Sequence, residues 1–293
     1  MRTLCSMFLL LALLSAPAYA DRAAAHYHRG LSLKQQGDID GALKAFAEAL
    51  VAREDYAAAH YSIGILYRQK GAHKKAVRHL QRASELDGNN AKILYSLGLA
   101  QFSAGERDAA TKTLIRAADL SPKDPKILGQ AGVILIRTDP ARAIGYLTRA
   151  VKLDSSDVNN IHQLGLAYRK TSTRLTAPEQ DKKRSEHLKQ AEKYLRWAAS
   201  KKQSAAIEFD LGVLYRRLEN EREAIIHYQR AVGLDPKMAA AYWDLGHVLR
   251  RADRFGEAAA AFEKYIELRA GTKSAKIARE RIKEIRAQKK GHK

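Results

Sequence analysis

The sequence predicts an all-α fold, a solenoid of about seven helix–turn–helix units closed by a C-terminal capping helix. Three observations carry that prediction. Seven glycines, Gly30, Gly64, Gly98, Gly132, Gly165, Gly212 and Gly246, stand 34, 34, 34, 33, 47 and 34 residues apart. About twelve residues after each comes an alanine: Ala42, Ala76, Ala110, Ala143, Ala191, Ala224 and Ala258, with only the fifth spacing broken. Seven positions further on lie Ala49, Ala83, Ala117, Ala150, Ala198 and Ala231, with Tyr265 in the last unit. A period near 34 marks stacked helical hairpins, each hiding its apolar face against the next. Small residues at fixed places let antiparallel helices approach, and larger apolar neighbours fill the ridges around them.

In chain order, residues 1–20 stand apart. Arg2 precedes an apolar run from Met7 to Ala16, followed by Ala18-Tyr19-Ala20 and Asp21. This reads as a secretory signal with a small-x-small cleavage site and a core too short to span a bilayer. Cys5 is the only cysteine, so the mature chain has no disulfide or thiol chemistry. The repeat array is expected over 23–272, with units starting near 23, 57, 91, 125, 158, 205 and 239. Turns between the two helices of a unit fall at Gly37-Asp38, Gly71, Gly105, Asp139-Pro140 and Asp253, and Pro122 and Pro236 mark the ends of second helices. The fifth unit carries an insertion over about 171–187. There Thr176-Ala177-Pro178-Glu179 reads as a helix start, opening a long second helix from Lys182 to Ser200 whose first turns project outward. Residues 273–293 read as a basic capping helix with Ile277, Ala278, Ile282 and Ile285 on one side and a frayed tail from Lys289.

The unit at 205–238 shows the full pattern of Leu211-Gly212, Tyr215, Ala224, Tyr228, Ala231 and Pro236. It resembles the tetratricopeptide repeat family, whose motif runs W-x2-L-G-x2-Y, then A-x3-F, then P. Glu208 departs from the motif's first aromatic position, whereas Tyr242 fits it in the next unit. The resemblance covers about residues 23–272. It implies a right-handed superhelix whose first (A) helices line a concave surface that holds an extended peptide or a partner helix.

The formal net charge is +20, and removing residues 1–20 leaves +19 because only Arg2 is lost. Two segments, 169–202 and 273–293, each contribute +7 of that excess. Localised charge points to docking patches or solubility, whereas a uniformly basic solenoid would have pointed to a polyanion track. The candidate basic patch is Lys182, Lys183, Arg184, Arg279, Lys283 and Arg286, within segments 182–202 and 273–293. It offers two readings: a solvated helix extension and cap, or attachment to an anionic membrane or cell-wall polymer.

Three residues before each repeat glycine stand Tyr27, Tyr61, Tyr95, Gly129, His162, Phe209 and Trp243, and cations cluster four and five residues after it. On a helix these offsets place ring and cation on neighbouring turns of one face. The expected partner groove is therefore Tyr27, Tyr61, Tyr95, Arg68, Phe209, Arg216, Arg217, Trp243, Arg250 and Arg251, suited to an acidic or extended peptide segment. The alternative is that the rings are half-buried packing residues. A carboxylate clamp is not supported, since Tyr27 and Leu31 stand where that specialisation uses Lys and Asn.

No nucleophile elbow, zinc-protease motif, phosphate loop or dinucleotide fingerprint is present. His26 and His28 do not share a helical face, and His73 and His79 lack acid or thiol partners at ligand spacing. Asp210 and Asp244 occupy equivalent places and are expected in salt bridges to local arginines. The chain thus reads as a non-catalytic binding protein with no cofactor and no metal, and nucleic acid as an unlikely partner beside an export signal. Its expected role is that of an exported adaptor or scaffold in cell-envelope assembly, in a bacterial periplasm, with secretion or a secretory lumen as the alternative.

Overall fold

The computed structural model describes residues 22–291, with side chains to residue 287. The expected export segment at 1–20, with Cys5, lies outside the described residues. The described chain is all-α, and the helices follow one another as hairpins. They are α1 (22–35), α2 (Ile39–Ala52), α3 (Ala57–Gln69), α4 (His73–Leu86), α5 (Ala91–Ser103), α6 (Arg107–Leu120), α7 (Pro125–Leu135) and α8 (Pro140–Leu153). The rest are α9 (Val158–Ser172), α10 (Asp181–Lys201), α11 (Ala205–Arg217), α12 (Glu221–Leu234), α13 (Ala239–Arg251), α14 (Phe255–Leu268) and α15 (Lys273–Gly291). Two compact units divide the chain, one through Ala131 and one from Gly132.

The glycine period has a direct steric cause. A Cβ built on Gly30 would lie 2.5 Å from the Phe46 ring, on Gly64 2.5 Å from Leu80, and on Gly98 2.6 Å from Leu114. In the second unit the same places are Gly132 against Leu147, Gly165 against Leu195, Gly212 against Tyr228 and Gly246 against Phe262, all under 3.0 Å. One large side chain from the second helix of each hairpin therefore occupies the volume that any side chain at the glycine would need. All thirteen repeat alanines are fully buried. Tyr228 is the only one of the seven large packing residues with a hydroxyl.

Helix starts follow local capping chemistry. Asp38, Asn90, Asp124, Asp139, Asp157 and Asn220 accept backbone amides of the first turn, and Pro140 opens α8 where its missing N–H costs nothing. The left-handed residue of the hairpin turn is glycine at Gly37, Gly71 and Gly105 but Glu219 and Asp253 further on.

Four expectations about the ends and the insertion change. The insertion is divided among a lengthened α9, a 3-10 turn at Pro178–Gln180 and the first turns of α10, so Thr176 caps nothing and the helix starts at Asp181. Those first turns do not project freely: Arg184 donates to the Leu175 carbonyl, His187 packs on Tyr168 at 5.6 Å, and Leu188 is buried. In α15 the buried stripe is Ala275, Ala278, Ile282 and Ile285, while Ile277 is exposed. A helix turns 100° per residue, so Ile277 and Ala278 cannot share the seam. The helix also continues to Gly291, through the segment expected to fray.

Two hairpins exchange an apolar contact for a polar one at the same register. Four residues before the glycine on the first helix and fifteen after it on the second, α3–α4 carries His60 and His79, and α11–α12 carries Glu208 and His227. His227 Nδ1 lies 2.7 Å from Glu208 Oε2, both residues buried, and the His227 ring stacks on Tyr215 at 5.2 Å. The departure of Glu208 from the repeat's aromatic position is thus matched by an imidazole on the facing helix.

Candidate partner-binding site

In the second unit the first helices of the hairpins carry a cross-repeat charge ladder. Arg169, four residues after its glycine, reaches Asp210 of the next repeat at 2.9 Å, and His162 Nε2 lies 2.8 Å from the other oxygen of the same carboxylate. One repeat on, Arg216 faces Asp244. Each aspartate thus has an arginine of the preceding repeat for its neighbour, as an ion pair at Asp210 and through the field of Arg216 at Asp244. Burial raises the Asp244 carboxyl above the usual range, with Arg216 opposing that shift. The buried Tyr228 hydroxyl lies between Arg216 and Asp244, and burial pushes its pKa up while the guanidinium opposes that shift.

Beyond this compensated stretch the ladder ends in surplus positive charge. Arg250, the next rung, has no carboxylate partner among the described residues, and its Nε is buried without a hydrogen bond. His247, on the same helix, feels Arg250, Arg281 of α15 and Arg216. Trp243 packs against His247 at 4.6 Å and Tyr265 at 4.9 Å. Trp243, Asp244, Tyr265 and Arg269 line a recess of about 480 Å³. An indole wall with the Arg269 guanidinium among its lining suits a partly apolar segment carrying a carboxylate.

In the first unit, Tyr27 packs on Phe46 and Tyr56 and lies 3.4 Å from the Ser62 hydroxyl. Arg68 lies beside Tyr95 of the following repeat, whose hydroxyl pKa is raised by burial and drawn back by that guanidinium. Tyr61 borders a recess of about 530 Å³ with Arg53, Tyr56, Asn90 and Lys92, and Arg53 stacks 3.6 Å over the Tyr56 ring.

Several expected site residues stand elsewhere. The cation four places after the glycine faces the neighbouring first helix, but the one five places after it is rotated away. Arg251 pairs with Glu221 at the start of α12 at 2.9 Å. Arg217 lies among Arg169, Arg184 and Arg216, and burial and those charges lower its pKa. Tyr27, Tyr61, Tyr95, Phe209 and Trp243 are all half-buried, so each is a packing residue with one accessible edge. In the basic patch Arg184 pairs with Asp181, Lys283 with Glu280 and Arg286 with Glu263, which leaves Lys182, Lys183 and Arg279 exposed without a carboxylate among the described residues. Asp210 is paired with a local arginine as expected, although the sequence reading did not name that arginine, and Tyr228 stands beside the ladder without having been singled out for it. The Asp210 pairing could have been found by aligning repeats on their glycines, since it joins position +4 of one to position −2 of the next.

His247 gives the site a pH signature. Burial, followed by the neighbouring arginines, holds its pKa below the ordinary histidine value. The unfolded chain takes up that proton near pH 6.5 and the folded chain does not, so this contribution is complete above that pH and is lost as pH falls. Both tryptophans, Trp197 and Trp243, lie in the second unit. Urea unfolding followed by tryptophan fluorescence should show stability falling from pH 7.5 to 5.5, with a shallower fall in His247→Gln.

Comparison with known proteins agrees with this repeat geometry. A "TPR repeat" model matches residues 30–71 and 64–105, and "Tetratricopeptide repeat" models match 91–124 and 180–239 with 209–275. No curated protein matches the chain in sequence. A tetratricopeptide repeat protein from Parabacteroides merdae superposes with a TM-score of 0.61 at 13% identity, covering 90% of this chain and 99% of its own. PilF of Pseudomonas aeruginosa superposes at 0.56 and 19% identity, covering 75% and 94%. YrrB, described as having an unusual peptide-binding site, superposes at 0.56 and 20% identity, covering 68% and 96%. At these identities the likeness is one of fold. Among the described residues no helix is long and apolar enough to cross a membrane. The family matches, the glycine-packed hairpins and the shared fold together make this chain a member of the tetratricopeptide repeat family.

Proposed function

We propose that the chain is an exported, non-catalytic adaptor that holds an acidic, extended segment of a partner protein against the first helices of its C-terminal repeats. Tetratricopeptide repeats are protein-interaction modules, and an adaptor or scaffold role follows from the family. The finer reading is supported chiefly by one observation: Asp210 is paired within the ladder and Asp244 faces Arg216, whereas Arg250, on the same helix as Trp243, has no carboxylate partner among the described residues. A partner carboxylate would supply the missing rung, and the indole and Tyr265 would bury an apolar neighbour. The segment at 1–20 supports delivery to a bacterial periplasm and a role in cell-envelope assembly. The peptide site described for YrrB offers a precedent on the same fold.

The test is affinity capture from an envelope extract with residues 21–293, at low and high salt, beside Arg250→Glu and Trp243→Ala. A discrete partner retained at high salt and reduced at least tenfold in both variants is expected. Capture of anionic polymer or lipid alone, lost at high salt and untouched by those variants but lost on changing Lys182, Lys183 and Arg279, would move the function to the basic patch.

A further inference from the structure

Two imidazoles meet across the α3–α4 hairpin. His60 Nδ1 and His79 Nδ1 are 3.2 Å apart, and His60 Nε2 lies 3.0 Å from the Glu54 carbonyl oxygen. A carbonyl only accepts, so His60 carries its hydrogen on Nε2 and turns an Nδ1 lone pair toward His79. The His79 ring rests on Tyr67 at 5.7 Å, which fixes its plane, and both histidines are half-buried, with solvent on one side. The helices are already in contact at this register, as the Glu208–His227 pair of the sixth repeat shows, so no rearrangement is needed to bring the rings together.

These features match the edge of a metal site. Tetrahedral zinc bound to imidazole at about 2.0–2.1 Å places neighbouring nitrogens about 3.3 Å apart. A ligating histidine characteristically donates its other ring N–H to a carbonyl or carboxylate, as His60 does to Glu54. Imidazole donors suit zinc, copper and nickel, whereas magnesium and calcium take oxygen. We propose that His60 and His79 form a two-histidine site for a divalent ion of the zinc class, with water in the remaining positions. Among the described residues no group of three or more histidines, cysteines or carboxylates could hold a metal, so the protein supplies two ligands. On binding, His79 passes its Nδ1 hydrogen to its own Nε2 through solvent; both rings stay neutral and no net proton is released. The bound ion would clip α3 to α4.

The test is calorimetric titration of Zn²⁺ into the EDTA-treated full chain. One ion per chain is expected, with affinity at least tenfold weaker in His60→Gln and in His79→Gln and unchanged in His73→Gln, whose side chain lies outside the pair. Nitrogen-15 spectra of the wild-type imidazoles provide a second readout that needs no variant, with the Nδ1 signals of both rings shifting on addition of Zn²⁺. No binding by the wild type, equal binding by both pair variants, or unmoved signals from these two rings would overturn the proposal.

Discussion

Gly212→Ala should destabilise the second unit by about 1–3 kcal/mol, the range for forcing a methyl group into a packed core. The added Cβ would lie 2.6 Å from two carbons of the Tyr228 ring, which is fully buried and cannot swing away. Gly98→Ala should act alike in the first unit, where the Leu114 side chain lies at 2.6 Å and its backbone nitrogen at 3.4 Å. Gly145, Gly233 and Gly256 are also helical, but nothing stands within 4 Å of a Cβ built on them. Alanine there should raise stability by about 0.5–1 kcal/mol each, through helix propensity and a less flexible unfolded chain. Urea denaturation, read by tryptophan fluorescence for Gly212 and by circular dichroism for Gly98, separates the two classes by sign. Neutral Gly212→Ala would mean that α11 and α12 are not packed at the distance described.

Asp210→Ala should cost about 2–4 kcal/mol, because it leaves a guanidinium and an imidazole facing each other with no carboxylate between them. The site is only partly accessible: the side chains of His162, Arg169 and Asp210 are 12%, 24% and 14% exposed. Glu221→Ala removes the carboxylate of the Arg251 pair, which is 49% and 32% exposed, and should cost under about 1 kcal/mol. The double change Arg169→Met with Asp210→Leu should recover much of the Asp210→Ala loss, since an apolar pair has no charge left unpaired. Equal effects of Asp210→Ala and Glu221→Ala would show that the ladder does not organise the second unit.

The repeat glycines and alanines made the hairpins legible, because each marks a place where only a small residue fits. The insertion resisted reading for the opposite reason. Thr176 and Pro178 look like a helix start in isolation, but Asp181 begins the helix because Arg184 and Leu188 fold the segment back onto α9 and the preceding loop. The geometry of the expected groove was half legible. Offsets from the glycine brought Trp243, Arg216 and Arg250 into the expected groove, yet treated positions +4 and +5 as one face, although 100° of rotation sends Arg251 to Glu221 instead. A salt bridge at Asp210 was expected, but which residue partners it left no local trace: Arg169 lies 41 residues away, and His60 lies 19 from His79. Both become visible once positions are counted from the repeat glycine.

The most direct test of the central claim is photo-crosslinking with a reactive amino acid placed in turn at Trp243, at Arg250 and at the exposed Leu234 on α12. Positions 243 and 250 should give adducts with the same discrete partner, competed by a synthetic acidic segment of that partner, and position 234 should give none. Adducts at 234 with none at 243 or 250 would place the partner on the second helices and contradict the account.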